Sequence, residues 1–572
     1  MSKFNIKEVF QPKFFTLIKS RSYTKKAFIS DLIAGIIVGV VAIPLAIAFG
    51  IASGVSPQQG LLTAILAGFL ISFLGGTSVQ IGGPTGAFIV IIAGVITQFG
   101  FQGLIVATVL AGIMLVLMGI LKLGDVIKFM PYPIIVGFTS GIAVVIFSTQ
   151  MKDFFGLTAL NGSELVVPSE FIDKWMVYFE NFSTINPWAT IIAVTTVFIG
   201  FSWQKVTKVI PGSLVALILC TVFAIVLKNY FGIEVATIGS KYPELSGGSP
   251  IPAPITPELN MKSIRLLISP AFTIAMLCAI ESLLSAMVAD GAIGKKHNSN
   301  TELIAQGIAN ITVPFFGGIP ATGAIARTMA NINNGGRTPV AGIVHAIFLL
   351  LIYLFLMPLA AHIPFAALAG ILVIVSYNMS EWRSFKAILK APKSDVIVLI
   401  LTFFLTVVFD LTIAIEIGLL LAAILFIKRV MDTSGIKVIE NEIARTEDRE
   451  ATDIELETIS KEIEIYEIDG PFFFGIANTF DEINNETKSH RPKVRIIRMR
   501  KVPFIDSTGI KNLKSLCERS KKEKIQVILS GVTIEVYETL DKSGFIDSFG
   551  RHYIFDHISK AMDKANDIIK NT

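Results

Sequence analysis

Two short stretches have the residue types to bind a small charged ligand. Residues 82–88 read GGPTGAF and residues 317–325 read GGIPATGAI, each set between apolar runs. Both combine Gly-Gly, a Pro and Thr-Gly-Ala. Glycine permits an irregular backbone, and proline suits a helix's first turn, where its missing N–H would be unsatisfied anyway. A helix starting there offers unpaired N–H groups and a positive dipole end, which together attract an anion. Non-helical backbone at membrane depth persists only where protein or a water-filled cavity covers it. Interrupted segments in matching places of two halves point to a transporter's midplane site. A plain Gly-Pro kink explains either copy alone, but less easily both.

Charged residues near these stretches extend the reading. Glu281 lies mid-way along AFTIAMLCAIESLLSAMVAD, too far from either end to reach the membrane surface. Ser285, four residues on, shares its face. The pair could hold a proton or a cation; the plainer alternative is a structural carboxyl bonded to a neighbouring helix. Arg327 follows the second stretch in ATGAIARTMANINN. There it would add to the positive field or pair with a carboxylate such as Glu281. Asp290 and Glu302 lie nearer the membrane boundary, where solvated or capping roles are expected, and Asp410 reads as an N-cap. His345, in an apolar helix, is expected to be a satisfied core histidine. Leu45 and Phe49 follow Pro44 in VAIPLAIAFG and read as packing.

The elements that must position these residues are membrane helices. Of 572 residues, 52% are hydrophobic and 16% charged, well below the roughly 25% charged of a soluble protein. The charge is concentrated in residues 1–30 and beyond about 428. A span needs about 20 apolar residues. Fourteen candidates fall near 31–50, 59–75, 85–99, 103–121, 132–149, 187–203, 211–230, 270–290, 302–317, 323–333, 338–358, 363–378, 395–409 and 411–428. Lys25, Lys26, Lys122, Lys205, Lys295, Lys296, Arg337, Arg383, Lys386 and Lys390 then fall on one side. That side is the cytoplasm by the positive-inside rule. The first run continues into Pro44, which favours a span over a removed signal peptide. Seven spans per half would insert the second half upside down, bringing the two helix starts together.

The expected domains are a cytoplasmic segment 1–30, a transport domain 31–429 with repeats 31–230 and 270–429, a linker 430–437 and a cytoplasmic domain 438–572. In the last, EIEIYEI and VRIIRMR alternate like strands, and VPFIDSTGIKNLKSLCERSKKEKIQVILSG reads strand end, helix, strand. Asp506 or Ser507 can cap that helix. Cys220, Cys278 and Cys517 have no disulfide or metal spacing. With no nucleophile–base set, metal cluster or phosphate loop legible, neither an enzyme nor a cofactor is expected. No basic cluster with aromatics suggests nucleic acid.

DLIAGIIVGVVAIPLAIAFGIASGV, GGPTGAF, ESLLSAMVADGAIGKKHNSNTELIAQGIANI and GGIPATGAIARTMANINNGGRTPVAG together resemble the SulP, or sulfate permease, family of anion transporters. The resemblance implies fourteen transmembrane segments in two inverted seven-helix repeats, similar to uracil permeases, with a core that moves against a gate in an elevator-like cycle. It places the anion between the starts of the third and tenth spans, at Thr85, Gly86 and Ala87 and at Ala324, Ile325, Ala326 and Arg327, with Leu45 and Phe49 from the first span. Several animal members carry Gln where Leu45 stands and Ser where Ala326 stands, so backbone N–H groups must do more of the binding here. Glu281 matches an acidic position of the eighth span. Sodium-coupled members have Asp there and Thr in place of Ser285, so the longer Glu favours protons, with sodium symport or exchange as alternatives. Residues 438–572 resemble a STAS domain, an α/β fold shared with anti-sigma-factor antagonists. That likeness marks Ser507 and Thr508 as candidate phosphorylation sites and suggests docking or dimerisation. The resemblance also implies a homodimer in the plasma membrane with both termini cytoplasmic. Two rival readings are a nucleobase permease of the same architecture and a membrane-tethered STAS signalling protein.

Overall fold

A computed structural model describes residues 9–20, 23–124, 131–168, 170–206, 211–243, 261–409, 411–433, 435–439, 442–444, 456–473 and 492–571. Asp410 lies outside them. The chain divides into two units, Met1–Leu420 and Leu421–Thr572.

The first unit is helical. A short helix, α1 (Lys13–Ser20), precedes α2 (Lys25–Ala52) and α3 (Pro57–Leu74). Local chemistry sets their starts. Thr24 accepts a bond from the Ala27 N–H, and Ser56 with Gln59 forms a capping box ahead of Pro57. β1 (Gly82–Gly83) and a single 3-10 turn (Gly86–Phe88) lead into α4 (Ile89–Ile120). Gly100, at φ 68°, breaks α4 into two limbs, because only glycine adopts that angle without strain. Then come α5 (Tyr132–Phe155), α6 (Phe171–Glu180), α7 (Pro187–Ser202), α8 (Gly212–Phe231), the single turn α9 (Ile238–Lys241), α10 (Met261–Ile293) and α11 (Ser299–Thr312). β2 (Thr322–Gly323) opens the last stretch, followed by α12 (Ile325–Asn333), α13 (Pro339–Leu356), α14 (Phe365–Met379), α15 (Trp382–Ile388), α16 (Lys393–Val408) and α17 (Leu411–Thr433).

Every apolar segment expected from the sequence falls on one of these helices, with 85–99 and 103–121 as the limbs of α4. Among the described residues, eight helices are long and apolar enough to cross a membrane. Short elements such as α1 and α6 lie outside the apolar runs, where length and hydropathy gave no signal.

Packing groups the helices. α4 packs on α10 and α11, and α3 and α13 pack on α2 and on each other. Elsewhere α5 packs on α14 and α16, and α7 packs on α8 and α14. Small residues permit the closest crossings. Gly112 of α4 and Gly307 of α11 face each other, and a Cβ on Gly112 would lie 2.7 Å from the Gly307 carbonyl oxygen.

The second unit is an α/β sheet sandwich. β3 (Gly435–Ile439) pairs antiparallel with β6 (Ile463–Asp469); β4 (Glu442–Ala444) and β5 (Leu456–Thr458) form a separate ladder. β7 (Val494–Lys501), β8 (Gln526–Ser530) and β9 (Ile554–Phe555) continue in parallel, giving the order β3-β6-β7-β8-β9. α18 (Ser507–Lys522), α19 (Ile534–Lys542) and α20 (Phe545–Phe549) share one core with Tyr466, Ile497 and Leu529. α21 (Ile558–Lys570) covers Ile465, Ile496 and Ile528 on the other face. Period-two alternation in β6 and β7 supplies both faces. With α17 ending at Thr433 and β3 starting at Gly435, helix and strand occupy most of the stretch expected as a linker.

Candidate functional site

The two glycine-rich stretches are paired backbone to backbone. β1 and β2 run antiparallel, with Gly82 opposite Gly323 and Gly83 opposite Thr322. The Ala324 N–H adds a bond to the Ile81 carbonyl at 3.0 Å. Each strand then turns directly into a helix. Thr85 caps the Gly86–Phe88 turn and Ala324 caps α12, and neither cap makes a side-chain bond to the helix start. Leading N–H groups of both helices are thus left without side-chain caps.

This geometry corrects two details of the sequence reading. Neither proline lies in a first turn: Pro84 precedes the cap Thr85, and Pro320 precedes β2. The near-identical letters also play different parts. Thr322-Gly323 is strand, whereas Thr85-Gly86 begins a helix. Gly82-Gly83 is the structural counterpart of Thr322-Gly323. Gly83 sits at φ 149°, and a Cβ there would run into the Arg327 guanidinium.

α12 holds the first stretch from behind. Arg327 donates to the Gly82 carbonyl at 3.3 Å and to the Pro84 carbonyl. Thr328 Oγ1 accepts from the Ile81 N–H at 3.2 Å, and Asn331 Nδ2 donates to the Val79 carbonyl at 2.8 Å. Arg327 is only 3% exposed. It adds charge beside the site while two of its donors hold backbone carbonyls. The carboxylate partner weighed for it is not what it bonds.

Glu281 is half-buried, and its Oε2 accepts the Thr85 hydroxyl at 2.9 Å. Ser285 is buried and donates to Thr328 Oγ1 at 3.1 Å, not to Glu281. A cavity of about 700 Å³ opens in front of the two helix starts. Leu45, Phe49, Thr85, Gly86, Glu281, Ala324, Ile325, Ala326 and Arg327 line it. Ala87 is buried behind the first turn and does not. The opposite wall was not anticipated: Thr139 of α5, Ser213 of α8, Asn378 of α14 and Glu381 face the same space. No motif marks those residues, so only their place in the fold reveals them.

One signal was readable and missed. In ELIAQGIAN, Glu302, Gln306 and Asn310 are spaced four apart, and all three are fully buried along one face of α11. Glu302 Oε2 accepts from the Thr77 N–H at 3.0 Å and the Thr77 hydroxyl at 2.9 Å, while Oε1 accepts from Gln306 at 2.9 Å. Asn310 bonds both sides of Ala321: its Oδ1 accepts from the N–H at 2.9 Å and its Nδ2 donates to the carbonyl at 2.8 Å. One helix face thereby fixes the approaches to both strands. Glu302 has neither the solvated nor the capping role expected: Asn298 caps α11, and Glu302 is buried because three donors satisfy it.

The remaining sites fall as follows. Asp290 accepts from the His297 N–H at 3.0 Å and contacts the ring Nδ1 at 2.7 Å. His345 is fully buried, but neither ring nitrogen has a partner among the described residues, so it is not the satisfied core histidine expected. In the second unit, Asp506 Oδ1 accepts from the Gly509 N–H at 2.7 Å and caps α18. Ser507 is exposed and Thr508 half-buried beside that cap. The three cysteines are free thiols.

Comparison with known proteins places this architecture. Residues 28–402 match the sulfate permease family and residues 453–561 match the STAS domain. The chain is 42% identical over 539 residues to YvdB, a candidate sulfate transporter of Bacillus subtilis, covering 94% of this chain and 98% of that one. It is 31% identical over 503 residues to the bicarbonate transporter BicA of Picosynechococcus, covering 85% of each. The transmembrane domain of a cyanobacterial BicA superposes with a TM-score of 0.59 at 31% identity, covering 69% of this chain and 97% of that one. The murine anion transporter Slc26a9, in its inward-facing state, gives 0.83 at 17% identity, covering 99% and 96%, a likeness of fold. These relatives are transporters rather than enzymes. Its motifs, its helices and these matches agree that the chain is a multi-pass membrane transporter of the sulfate permease family with a C-terminal STAS domain.

Proposed function

We propose that this protein is a proton-coupled symporter of small anions of the sulfate, bicarbonate or small-dicarboxylate class. The observation that carries the reading is the β1–β2 pair, which sets two helix starts without side-chain caps at one cavity beside Glu281. An anion there would take N–H groups near Gly86 and near Ile325 and Ala326. With Glu281 ionised, its charge offsets that of Arg327. Protonation removes the offset and leaves the helix ends and Arg327 to favour an anion. It also weakens the bond that Glu281 accepts from the Thr85 hydroxyl, which can then turn toward the ligand. Proton and anion therefore load together. The names of the YvdB and BicA relatives support sulfate and bicarbonate as the first candidates.

Packing favours an elevator-like cycle. α2, α3, α4 and α10–α13 would form the moving core, and α5, α7, α8, α14 and α16 the gate. The wider reading has fourteen spans in two inverted repeats, 31–230 and 270–429, with both termini in the cytoplasm of a plasma-membrane homodimer. Sodium coupling is the second reading, because Thr85 Oγ1 and Glu281 Oε2 lie 2.9 Å apart at the cavity. Against it, Ser285 turns to Thr328 and supplies no further oxygen.

The test is uptake of labelled sulfate, bicarbonate, chloride, nitrate and dicarboxylates into proteoliposomes under imposed proton or sodium gradients. An inward proton gradient should drive uptake, and Glu281→Gln should remove the gradient's effect. Uptake that follows a sodium gradient instead would select the second reading. Unchanged proton-driven uptake by Glu281→Gln would reject the coupling role.

A further inference from the structure

α1 has no place in the transport cycle described above, yet it is built like a membrane-surface helix. Its eight residues, KFFTLIKS, would span only about 12 Å, too short to cross a bilayer. Phe14, Phe15, Leu17 and Ile18 fall on one side and Lys13, Thr16, Lys19 and Ser20 on the other. Phe14 and Phe15 pack on Phe73 of α3, which stacks on Phe69. Even so, Phe15 stays 42% exposed and Ile18 59% exposed. The first turns of α2, which follows α1 in the chain, also carry exposed Phe28, Ile29 and Ile33. Lys13 and Lys19 flank the apolar side of α1, and Lys25 and Lys26 open α2. None of the four makes an ion pair among the described residues.

We propose that α1 and the first turn of α2 form a docking surface for anionic phospholipid. Phe15 and Ile18 would enter the acyl boundary while the four lysines meet headgroup phosphates. Apolar residues beside unpaired cations are the chemistry of an interfacial helix, and a protein partner would be expected to supply carboxylates to those lysines. Each lysine near an anionic surface contributes on the order of a fivefold gain in association.

The surface is also wired to the site. The Lys13 N–H donates to the Gly75 carbonyl at 2.9 Å. The preceding segment is pinned to Thr301, whose Oγ1 accepts from the Gln11 N–H at 2.9 Å and donates to the Val9 carbonyl at 2.9 Å. Thr301 adjoins Glu302, which holds Thr77 ahead of β1. Headgroup binding at α1 would therefore steady the inner end of the bundle that carries both helix starts.

The test uses the full chain with a polarity-sensitive fluorophore on Ile18→Cys, with Cys517→Ser; Cys220 and Cys278 are buried. It is reconstituted in phosphatidylcholine alone or with added phosphatidylglycerol. The expected result is a blue shift with phosphatidylglycerol that is weakened by salt. The shift should be lost in K13Q/K19Q/K25Q/K26Q, because four lysines at about fivefold each amount to a several-hundred-fold loss of association, and unlabelled protein of that variant should show a loss of uptake confined to anionic vesicles. Emission unaffected by lipid charge, or a phosphatidylglycerol effect that survives the quadruple variant, overturns the proposal. A shift that follows protein concentration instead would assign the surface to a second copy and also overturn it. The uptake arm rests on the transport reading; the fluorescence arm does not, so the two can fail separately.

Discussion

Arg327 shows how one side chain can serve two ends. Its guanidinium bonds the Gly82 and Pro84 carbonyls, so it fixes the first helix start while charging the cavity from behind. A lysine would keep the charge and lose the fork. We expect both Arg327→Lys and Arg327→Gln to lower initial uptake by about tenfold or more, since hydrogen bonds to a charged group are worth about 1.5–3 kcal/mol. Restoration by lysine would reduce the role to charge alone. Gly83→Ala should abolish uptake too, because its Cβ meets that guanidinium and its φ of 149° favours glycine. Glu281 and Arg327 were legible in the sequence because charges stand out in apolar runs. The bond from Thr85 to Glu281 was not, because it joins positions 196 apart.

Elements tell the same story at longer range. Most helices were legible because their apolar runs are long enough to demand one; the short α12 was legible only by its likeness to the first glycine-rich stretch. The β1–β2 pair was hidden: two-residue strands have no periodicity, and their partner lies in the other half of the chain. Residues that share letters therefore need not share roles, as Thr85 and Thr322 show. α11 acts as the strut between the two approaches. Asn310→Ala would strip Ala321 of both its bonds to Asn310, leaving the N–H unpaired and the carbonyl with only the Cys278 thiol at 3.4 Å, a loss of about 1–3 kcal/mol for the buried N–H. It should lower the thermal midpoint of the purified protein and weaken anion affinity together. Normal affinity with a lowered midpoint would confine Asn310 to stability. In the loop after α5, Glu164 bonds Lys241 at 2.8 Å and Lys152 at 3.1 Å, which holds its carboxyl down at about 2. A lowered carboxyl stabilises the fold fully above its ordinary value of 4.5 and loses that contribution as pH falls toward 2. Because Glu164 is 64% exposed, the contribution should be under about 1 kcal/mol. Glu164→Gln should therefore leave thermal midpoints at pH 7 within a few degrees of the parent, and the difference should vanish near pH 2.

At the scale of the molecule, the cavity-lining residues all lie between Leu45 and Glu381, within the first unit. The STAS sheet has separate cores on its two faces, built from its own strands and helices. Deleting residues 438–572 should therefore leave anion uptake measurable per folded molecule; complete loss from a well-folded truncation would tie transport to the STAS domain. The central claim is that the anion sits between the two helix starts. Its most direct test is an anomalous difference map from crystals grown with selenate or bromide. The account predicts one peak within hydrogen-bond reach of the N–H groups near Gly86 and near Ile325 and Ala326, in front of Thr85. A peak elsewhere in the cavity, on the wall of Thr139, Ser213 and Asn378, would contradict it.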